Sequence, residues 1–335
     1  MFSTIICAIF ITSLSIVLFK SIAEKINLID KPNYRKQHKE PIAMIGGLSI
    51  YIGIIITSLI IGLPFLLNYL ILTSSIVFLI GLTDDMFNIG IIIRLIFQII
   101  ASIFVIFSGL YVVDLGNINN IGVISFGIFS YTFTIFAVIC LTNAFNFIDG
   151  LDGLAGGLIL IALLSIILFQ YFGKGIEDIQ ILTVLISSVF IYWLVNMSLT
   201  PLKKIFLGDS GSLLLGFLIS WLLIYYTHPD IRSFHPVLAI WCVTIPIFDS
   251  ISVVIRRLIL KSNIFLPDLI HIHHLLLNRN FSKKLTLFII LLLASLSSLI
   301  GLVTFKFFGP MESLLTFLSL LIIYCFISYK FMKQN

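Results

Sequence analysis

Eleven long apolar runs, each bounded by polar clusters, settle what this chain can fold into. They cover roughly residues 2–23, 45–63, 65–82, 91–113, 121–142, 154–172, 180–198, 211–227, 236–254, 286–308 and 311–330. A helix needs about 20 apolar residues to cross the ~30 Å hydrocarbon layer of a bilayer, and the runs have that length. Of the 335 residues, 60% are hydrophobic and 10% are charged, whereas soluble domains carry about 25% charged residues. The expected fold is all-α: a polytopic integral membrane protein of about eleven transmembrane helices, or ten if the weakly separated second and third runs count as one. Residues 1–335 then form a single membrane-embedded domain. No basic residue precedes the first run and Lys20 follows it. That is the reverse of a signal peptide's charge order, so a retained first span is predicted.

Lys and Arg set the orientation. With the N-terminus outside and the C-terminus inside, only Lys174, Arg232 and Lys306 of the 20 Lys and Arg fall on the outer side. An excess of cations in cytoplasmic loops is the signature of membrane topology. The inner loops are then 24–44, 83–90, 143–153, 199–210 and 255–285. They collect Asp84 and Asp85, the segment Asn143 to Asp152, Gly208-Asp209, and the cluster His271, His273 and His274. The outer residues Asp114, His228 and His235 read as solvated loop. The four cysteines lie apart in or beside apolar runs, which argues against both a disulfide framework and a zinc site.

Carboxylates at a membrane boundary are costly unless they are paired or hold a cation. Asp84, Asp85, Asp149, Asp152 and Asp209 would repel one another, and a divalent cation is the simplest remedy. An all-oxygen set favours Mg²⁺, with Mn²⁺ as the second choice. Asn143, Asn146, Asp149 and Asp152 recur every three residues, and in a helix the last three share a side. Basic residues follow: His271, His273 and His274 in the last inner loop, and Arg35, Lys36 and His38 in the first. Carboxylates around a metal, ringed by cations, are what phosphoryl transfer requires. The plainer structural readings are that Asp84 and Asp85 cap the fourth span, that Asp209 caps the eighth, and that Asp249 pairs with a basic neighbour.

Five segments stand in order: Asp30-Lys-Pro-Asn-Tyr-Arg-Lys-Gln-His38, Gly81-Leu-Thr-Asp-Asp85, Asn143-Ala-Phe-Asn-Phe-Ile-Asp-Gly-Leu-Asp-Gly153, Phe206-Leu-Gly-Asp-Ser-Gly-Ser212 and His271-Ile-His-His274. Together they resemble the signature segments of the polyprenyl-phosphate N-acetylhexosamine-1-phosphate transferases, over about residues 30–275. The spacing of His271-Ile-His-His274, and Pro246-Ile-Phe-Asp249 followed by Arg256-Arg257, resemble the branch that starts surface glycans from UDP-GlcNAc. The peptidoglycan branch typically has three consecutive His. Leu269-Ile270 and Asn278-Arg279-Asn280 depart from the usual pattern near the expected sugar-recognition loop.

The resemblance implies transfer of GlcNAc-1-phosphate, or a related HexNAc-1-phosphate, from its UDP-sugar to undecaprenyl phosphate at the cytoplasmic face of a bacterial inner membrane. UMP is released, and a lipid-linked glycan such as O-antigen, common antigen or teichoic acid begins. The implied roles are Asp209 on the metal with Asp85 and Asp152, Asp84 as base, and the His cluster at the pyrophosphate or sugar. Phe206 stacks on uracil. Arg35, Lys36, His38, Asn143, Asn146, Asp149 and Asp152 hold substrate. The expected partners are membrane lipid and the two substrates, without nucleic acid, and pairing of two copies is compatible with this reading. Phospho-MurNAc-pentapeptide transfer is the alternative within the family. A cation-coupled transporter is the alternative of another class, weakened by the lack of a convincing internal repeat and by the near-absence of mid-span charges.

Overall fold

A computed structural model of the chain describes residues 1–31, 40–118, 121–261 and 271–333. Arg35, Lys36 and His38, expected as substrate contacts, lie outside the described residues. The chain is an all-α polytopic membrane protein, and 75% of its described residues are helical, with almost no sheet. In chain order, α1 (Phe2–Ile22) leads to a short antiparallel pair, β1 (Ile29–Asp30) with β2 (Ile42–Ala43). There follow α2 (Gly46–Ile61), α3 (Phe65–Phe87), α4 (Ile91–Phe107) and a second antiparallel pair, β3 (Asp114–Ile118) with β4 (Gly122–Ser125). Next come α5 (Ser130–Ile148), α6 (Leu154–Phe172), α7 (Ile179–Asn196) and α8 (Gly208–Thr227). The chain continues through α9 (Pro236–Cys242), α10 (Thr244–Ile259), the short α11 (Ile272–Leu277), α12 (Lys283–Phe308) and α13 (Pro310–Lys333).

Each apolar run yields a helix. Among the described residues eight helices are long and apolar enough to cross a bilayer, or nine if α9 and α10 are one bent span. The apolar α2 and α4 are shorter, at 16 and 17 residues. α4 ends at Phe107, short of its run, and three other differences from the runs have a local cause. First, α3 continues past residue 82 to Phe87, so Asp84 and Asp85 lie in its last turn. It stops where Asn88 turns left-handed at φ 51° and donates its N–H to the Asp84 carbonyl at 2.8 Å. Second, the fifth run starts as β4 and a 3₁₀ turn, and its helix extends to Ile148. Gly122 and Gly127, both at positive φ, and the β-branched residues between them favour that strand; apolarity alone cannot tell a strand from a helix. Third, the ninth run breaks at Val243, and α9 and α10 meet at 77°. Pro246 supplies the reason, for it has no N–H to give the carbonyl of Cys242 and can sit only in the first turn of a new helix.

The chain forms two compact units. The first holds Met1–Leu110, Ile135–Asn146 and Glu177–Leu222. Here α2 packs on α1, α3 and α7, and α4 packs on α3. Every residue from Ser210 to Leu222 is buried, as expected of a helix apolar on all sides. Glycines let backbones touch. A Cβ on Gly47 would lie 2.5 Å from the Gly211 Cα, and one on Gly81 would lie 2.6 Å from the Ser210 Cα. Lipid tails are as apolar as leucine, so such close packing of small residues is what holds membrane helices together.

The second unit holds Tyr111–Thr134, Phe147–Ile176 and Leu223–Asn335. Its helix α12 packs on α6, α9 and α13, and α10 packs on α13. The reading of Asp114, His228 and His235 as solvated loop is corrected here. Asp114 is buried and takes Arg232 Nη2 at 2.6 and 2.8 Å, with the Gly116 N–H at 2.6 Å. The ring of His235 accepts from the Val237 N–H at Nδ1, capping α9, while Nε2 lies 3.1 Å from the Asn117 carbonyl. That pairing fixes the neutral Nε2–H tautomer, and burial accordingly lowers the His235 pKa. His228 packs edge-on against Tyr111. Polar residues beside lipid find partners because water is scarce there.

The contact of Gly81 with α8 sets the register of α3. Gly81→Ala is expected to lower the melting temperature of purified protein in detergent, by a loss of about 1–3 kcal/mol for the overpacked methyl. Gly90→Ala, where an added Cβ meets nothing within 4 Å, is the control. Equal melting of the two variants would show that α3 and α8 tolerate a wider spacing.

Candidate active site

The first unit brings three of the expected carboxylates to one place. Asp84 and Asp85 stand at the C-terminal end of α3, where the helix dipole disfavours negative charge. Asp85 is compensated by the opposite end of another helix. Its Oδ1 accepts the Asp209 N–H at 2.7 Å and its Oδ2 the Ser210 N–H at 3.0 Å. The carboxylate therefore caps the N-terminus of α8, supplying acceptors for donors that no helix can satisfy internally. Gly208, left-handed at φ 76°, makes the approach possible, since a Cβ there would lie 2.5 Å from Asp85 Oδ2. The capping role read onto Asp209 thus falls to Asp85.

The side chain of Asp209 turns instead to two neighbours, Asn146 and Arg94. Asn146 Nδ2 donates to its Oδ1 at 2.7 Å and also to Ser212 Oγ at 2.9 Å. Arg94, in the first turn of α4, places Nη1 at 3.2 Å from Asp209 Oδ2 and 2.8 Å from Asp84 Oδ2. One guanidinium nitrogen therefore joins two carboxylates from helices far apart in sequence. Asn143, one turn before Asn146, donates to Gln98 Oε1 and to the Ile139 carbonyl, both at 2.8 Å. Beside this cluster the strand-like segment Ile205–Leu207 runs along Ala43–Gly47. The Phe206 N–H donates to the Ala43 carbonyl at 2.8 Å, and the Phe206 carbonyl accepts from Gly46 at 2.9 Å. Lys204 Nζ lies 5.0 Å above the Phe206 ring.

The second unit holds the histidines. Buried Asp249, on α10, takes His271 Nδ1 at 2.7 Å on Oδ2. On Oδ1 it accepts the Ile272 N–H at 2.8 Å and the Tyr324 hydroxyl at 3.2 Å. One carboxylate thus fixes the ring of His271, the start of α11 and a side chain of α13. The bond at Nδ1 leaves Nε2 as the nitrogen that can face a ligand. His273 is only 1% exposed, and neither ring nitrogen has a hydrogen-bond partner among the described residues. Burial first, then the neighbouring His274, pushes His273 down to about 3, so its ring is neutral. The ring lies against the turn after α5, and a Cβ on Gly150 would come within 2.2 Å of Nε2. His274 packs at 4.1 Å between ring centroids from His273.

Asn143, Asn146, Asp149 and Asp152 do not share one helix face, because α5 ends at Ile148. Asn143 and Asn146 belong to the first unit, with Asp84, Asp85 and Asp209. Asp149 and Asp152 occupy the turn before α6 and belong to the second, with the three histidines. The sequence reading missed Arg94, counted only for topology, along with Gln98, Ser210 and Tyr324. Asp249 was read as pairing with a basic residue, and its partner is His271.

In the first unit, acidic side chains at the ends of two helices and a glycine-lined approach to α8 form a polar cluster within a membrane-protein fold. Residues 67–227 match the family model for glycosyl transferase family 4, and the chain belongs to that family. It is 35% identical over 304 residues to the undecaprenyl-phosphate alpha-N-acetylglucosaminyl 1-phosphate transferase of Escherichia coli K12, covering 89% of this chain and 83% of that protein. The protein of the same name from Yersinia pestis is 35% identical over 309 residues, covering 90% and 84%. That from Haemophilus influenzae is 32% identical over 292 residues, covering 86% and 82%.

Asp249→Asn leaves one carbonyl oxygen for three donors. The substitution is expected to cost about 1–3 kcal/mol, the range for a buried donor left unsatisfied, read as a lower melting temperature. Hydrogen exchange should rise in residues 271–277 and stay unchanged at the α8 N-terminus. Unchanged exchange in α11 would show that Asp249 does not anchor it.

Proposed function

We propose that the chain transfers N-acetylglucosamine 1-phosphate, or a related HexNAc-1-phosphate, from its UDP-sugar to undecaprenyl phosphate, with release of UMP. The observation that carries this reading is the convergence of Asp84 and Asp209 on one cation, with Asn146 fixing the second carboxylate. The activity for which the relatives are named and the order of the sequence segments support it. The placement of Lys and Arg supports a site on the cytoplasmic face of the inner membrane, with N-terminus out and C-terminus in. The inner loops 24–44, 83–90, 143–153, 199–210 and 255–285 would form that face of a single transferase domain.

The donor set suits Mg²⁺ or Mn²⁺. Mg²⁺ is usually held by one or two carboxylates, with waters and substrate phosphates completing the shell. Among the described residues no three His, Cys, Asp or Glu groups form a metal cage. Asp209 and Asp84 would hold the ion. Asp85 is assigned to fixing α8, because both its oxygens already accept backbone N–H groups. When bound, the cation would neutralise charge on the donor pyrophosphate.

The chemistry needs little covalent help from the protein. An oxygen of the lipid phosphate attacks the sugar-bearing phosphorus of the donor. The bond from that phosphorus to the bridging oxygen breaks, and UMP leaves with that oxygen. A phosphate monoester, with its second pKa at ~6, is already largely ionised at neutral pH, so Asp84 chiefly orients the nucleophile and takes any remaining proton. Asn143 and Asn146 hold the carboxylates and polar groups around the donor. Phe206 offers a flat face for uracil, while Arg35, Lys36 and His38 supply cations for phosphate. His271, fixed by Asp249, presents Nε2 to the pyrophosphate or sugar. His274, Asp149 and Asp152 contribute to the same recognition, and buried His273 shapes the turn that carries the two carboxylates.

Purified protein given undecaprenyl phosphate and radiolabelled UDP-GlcNAc is expected to form lipid-linked GlcNAc diphosphate and UMP, and to stop in excess EDTA. Product from UDP-MurNAc-pentapeptide alone would move the chain to the peptidoglycan reaction. Full turnover after metal stripping would remove the metal from the proposal.

Asp209→Asn keeps size and loses the charge a hard cation prefers. The variant is expected to melt like the parent and to lose turnover by orders of magnitude. Turnover within about threefold of the parent, ~0.65 kcal/mol of barrier, would assign Asp209 a structural role.

A further inference from the structure

Arg94 binds its two carboxylates in an unusual way for arginine. A guanidinium normally meets carboxylates as a fork, with two nitrogens in two parallel hydrogen bonds. Here the single nitrogen Nη1 serves both Asp84 Oδ2, at 2.8 Å, and Asp209 Oδ2, at 3.2 Å. Nε of the same group is buried and makes no hydrogen bond among the described residues. The guanidinium thus acts as a point of positive charge between two oxygens, and its own donors are incompletely used. A small cation would be satisfied by the same position.

We propose that Arg94 is a positioning residue that stands in for the divalent cation, holding Asp84 and Asp209 together before the ion arrives and yielding that place when it binds. This rests on the reading above that these two carboxylates take Mg²⁺ or Mn²⁺. Arg94 cannot vacate by losing its proton, because a guanidinium stays charged. It must swing away, since a divalent ion and a guanidinium a few ångströms apart repel strongly at low dielectric. Exposure makes the exchange feasible. The Asp209 side chain is 40% exposed while those of Asp84 and Arg94 are at 7% and 14%, so an incoming ion meets Asp209 first. The polar and charged groups facing Arg94 are these two carboxylates, with Asn146 on the far oxygen of Asp209. Without Arg94, two buried-edge carboxylates would face each other with no countercharge in the ion-free protein. Its presence makes the ion-free state stable and weakens metal binding by the fraction of time the carboxylates stay engaged.

The test uses purified full-length protein without substrate and Mn²⁺ as probe, with free ion measured by electron paramagnetic resonance. Arg94→Gln is expected to bind Mn²⁺ about tenfold or more tighter than the parent, by removal of the competing state. In chelator it should melt below the parent, and in saturating Mg²⁺ the gap should close. On the parent itself, phenylglyoxal modification of Arg94, read by mass spectrometry, should accelerate when Mg²⁺ is added; this arm stands even if the variant does not fold. Equal or weaker Mn²⁺ binding by Arg94→Gln, or modification that Mg²⁺ leaves unchanged or slows, would overturn the proposal. Asp209→Asn separates the two levels. If the parent binds Mn²⁺ and Asp209→Asn does not, the metal reading stands, and an overturning result with Arg94→Gln or phenylglyoxal then rejects the role of Arg94 alone. If the parent binds no Mn²⁺, the metal reading and the role of Arg94 fall together.

Discussion

The bridge from Asp85 to the N-terminus of α8 is the constraint on which the acidic cluster depends. It joins a negative group at the wrong end of its own helix to the positive end of another, so each helix end relieves the other. Glycine makes the bridge short. Gly81 allows α3 to lie directly on α8, and left-handed Gly208 leaves space for the carboxylate. With α3 and α8 locked in this register, Asp84 and Asp209 face one another, and Arg94 and Asn146 complete the arrangement. Removal of any of the three small or acidic groups would change a distance between helices before it changed any chemistry.

Lipid as solvent explains why so many polar groups are paired in a chain this apolar. The same rule that joins Asp85 to α8 joins Asp114 to Arg232 and Asp249 to His271. In each case a carboxylate accepts both a cationic or ring donor, or a pair of N–H groups, and at least one backbone N–H. These pairs act as clips between segments distant in sequence, where a water-soluble protein could leave the same groups hydrated.

Much of this was legible in the sequence, for identifiable reasons. Apolar runs of membrane length give helices directly, and α6 falls on its predicted bounds. The ordered Asp, Asn and His segments carry the family resemblance, and the family comparison bears it out. Other features needed three dimensions. A lone Arg94 after a membrane loop looks like a topology signal, and nothing local says that it meets Asp209, 115 residues away. The three-residue repeat from Asn143 to Asp152 suggested one helix face, but the helix ends inside it and its members are divided between two units. Asp249 and His271 are separated by 22 residues, and Tyr324 lies in a helix that carries no motif. Burial of His273 could not be read from a cluster of three histidines that looked equally polar.

Tyr324 has a consequence of another kind. It sits on α13, a helix whose apolar window is only 17% buried and so faces the bilayer along most of its length. Its hydroxyl nevertheless ends on Asp249, the group that fixes His271. The hydrocarbon thickness that determines how α13 tilts is therefore mechanically connected to the imidazole of His271 through two hydrogen bonds. Lipid composition, acting through the seating of one outer helix, becomes part of what orients that ring.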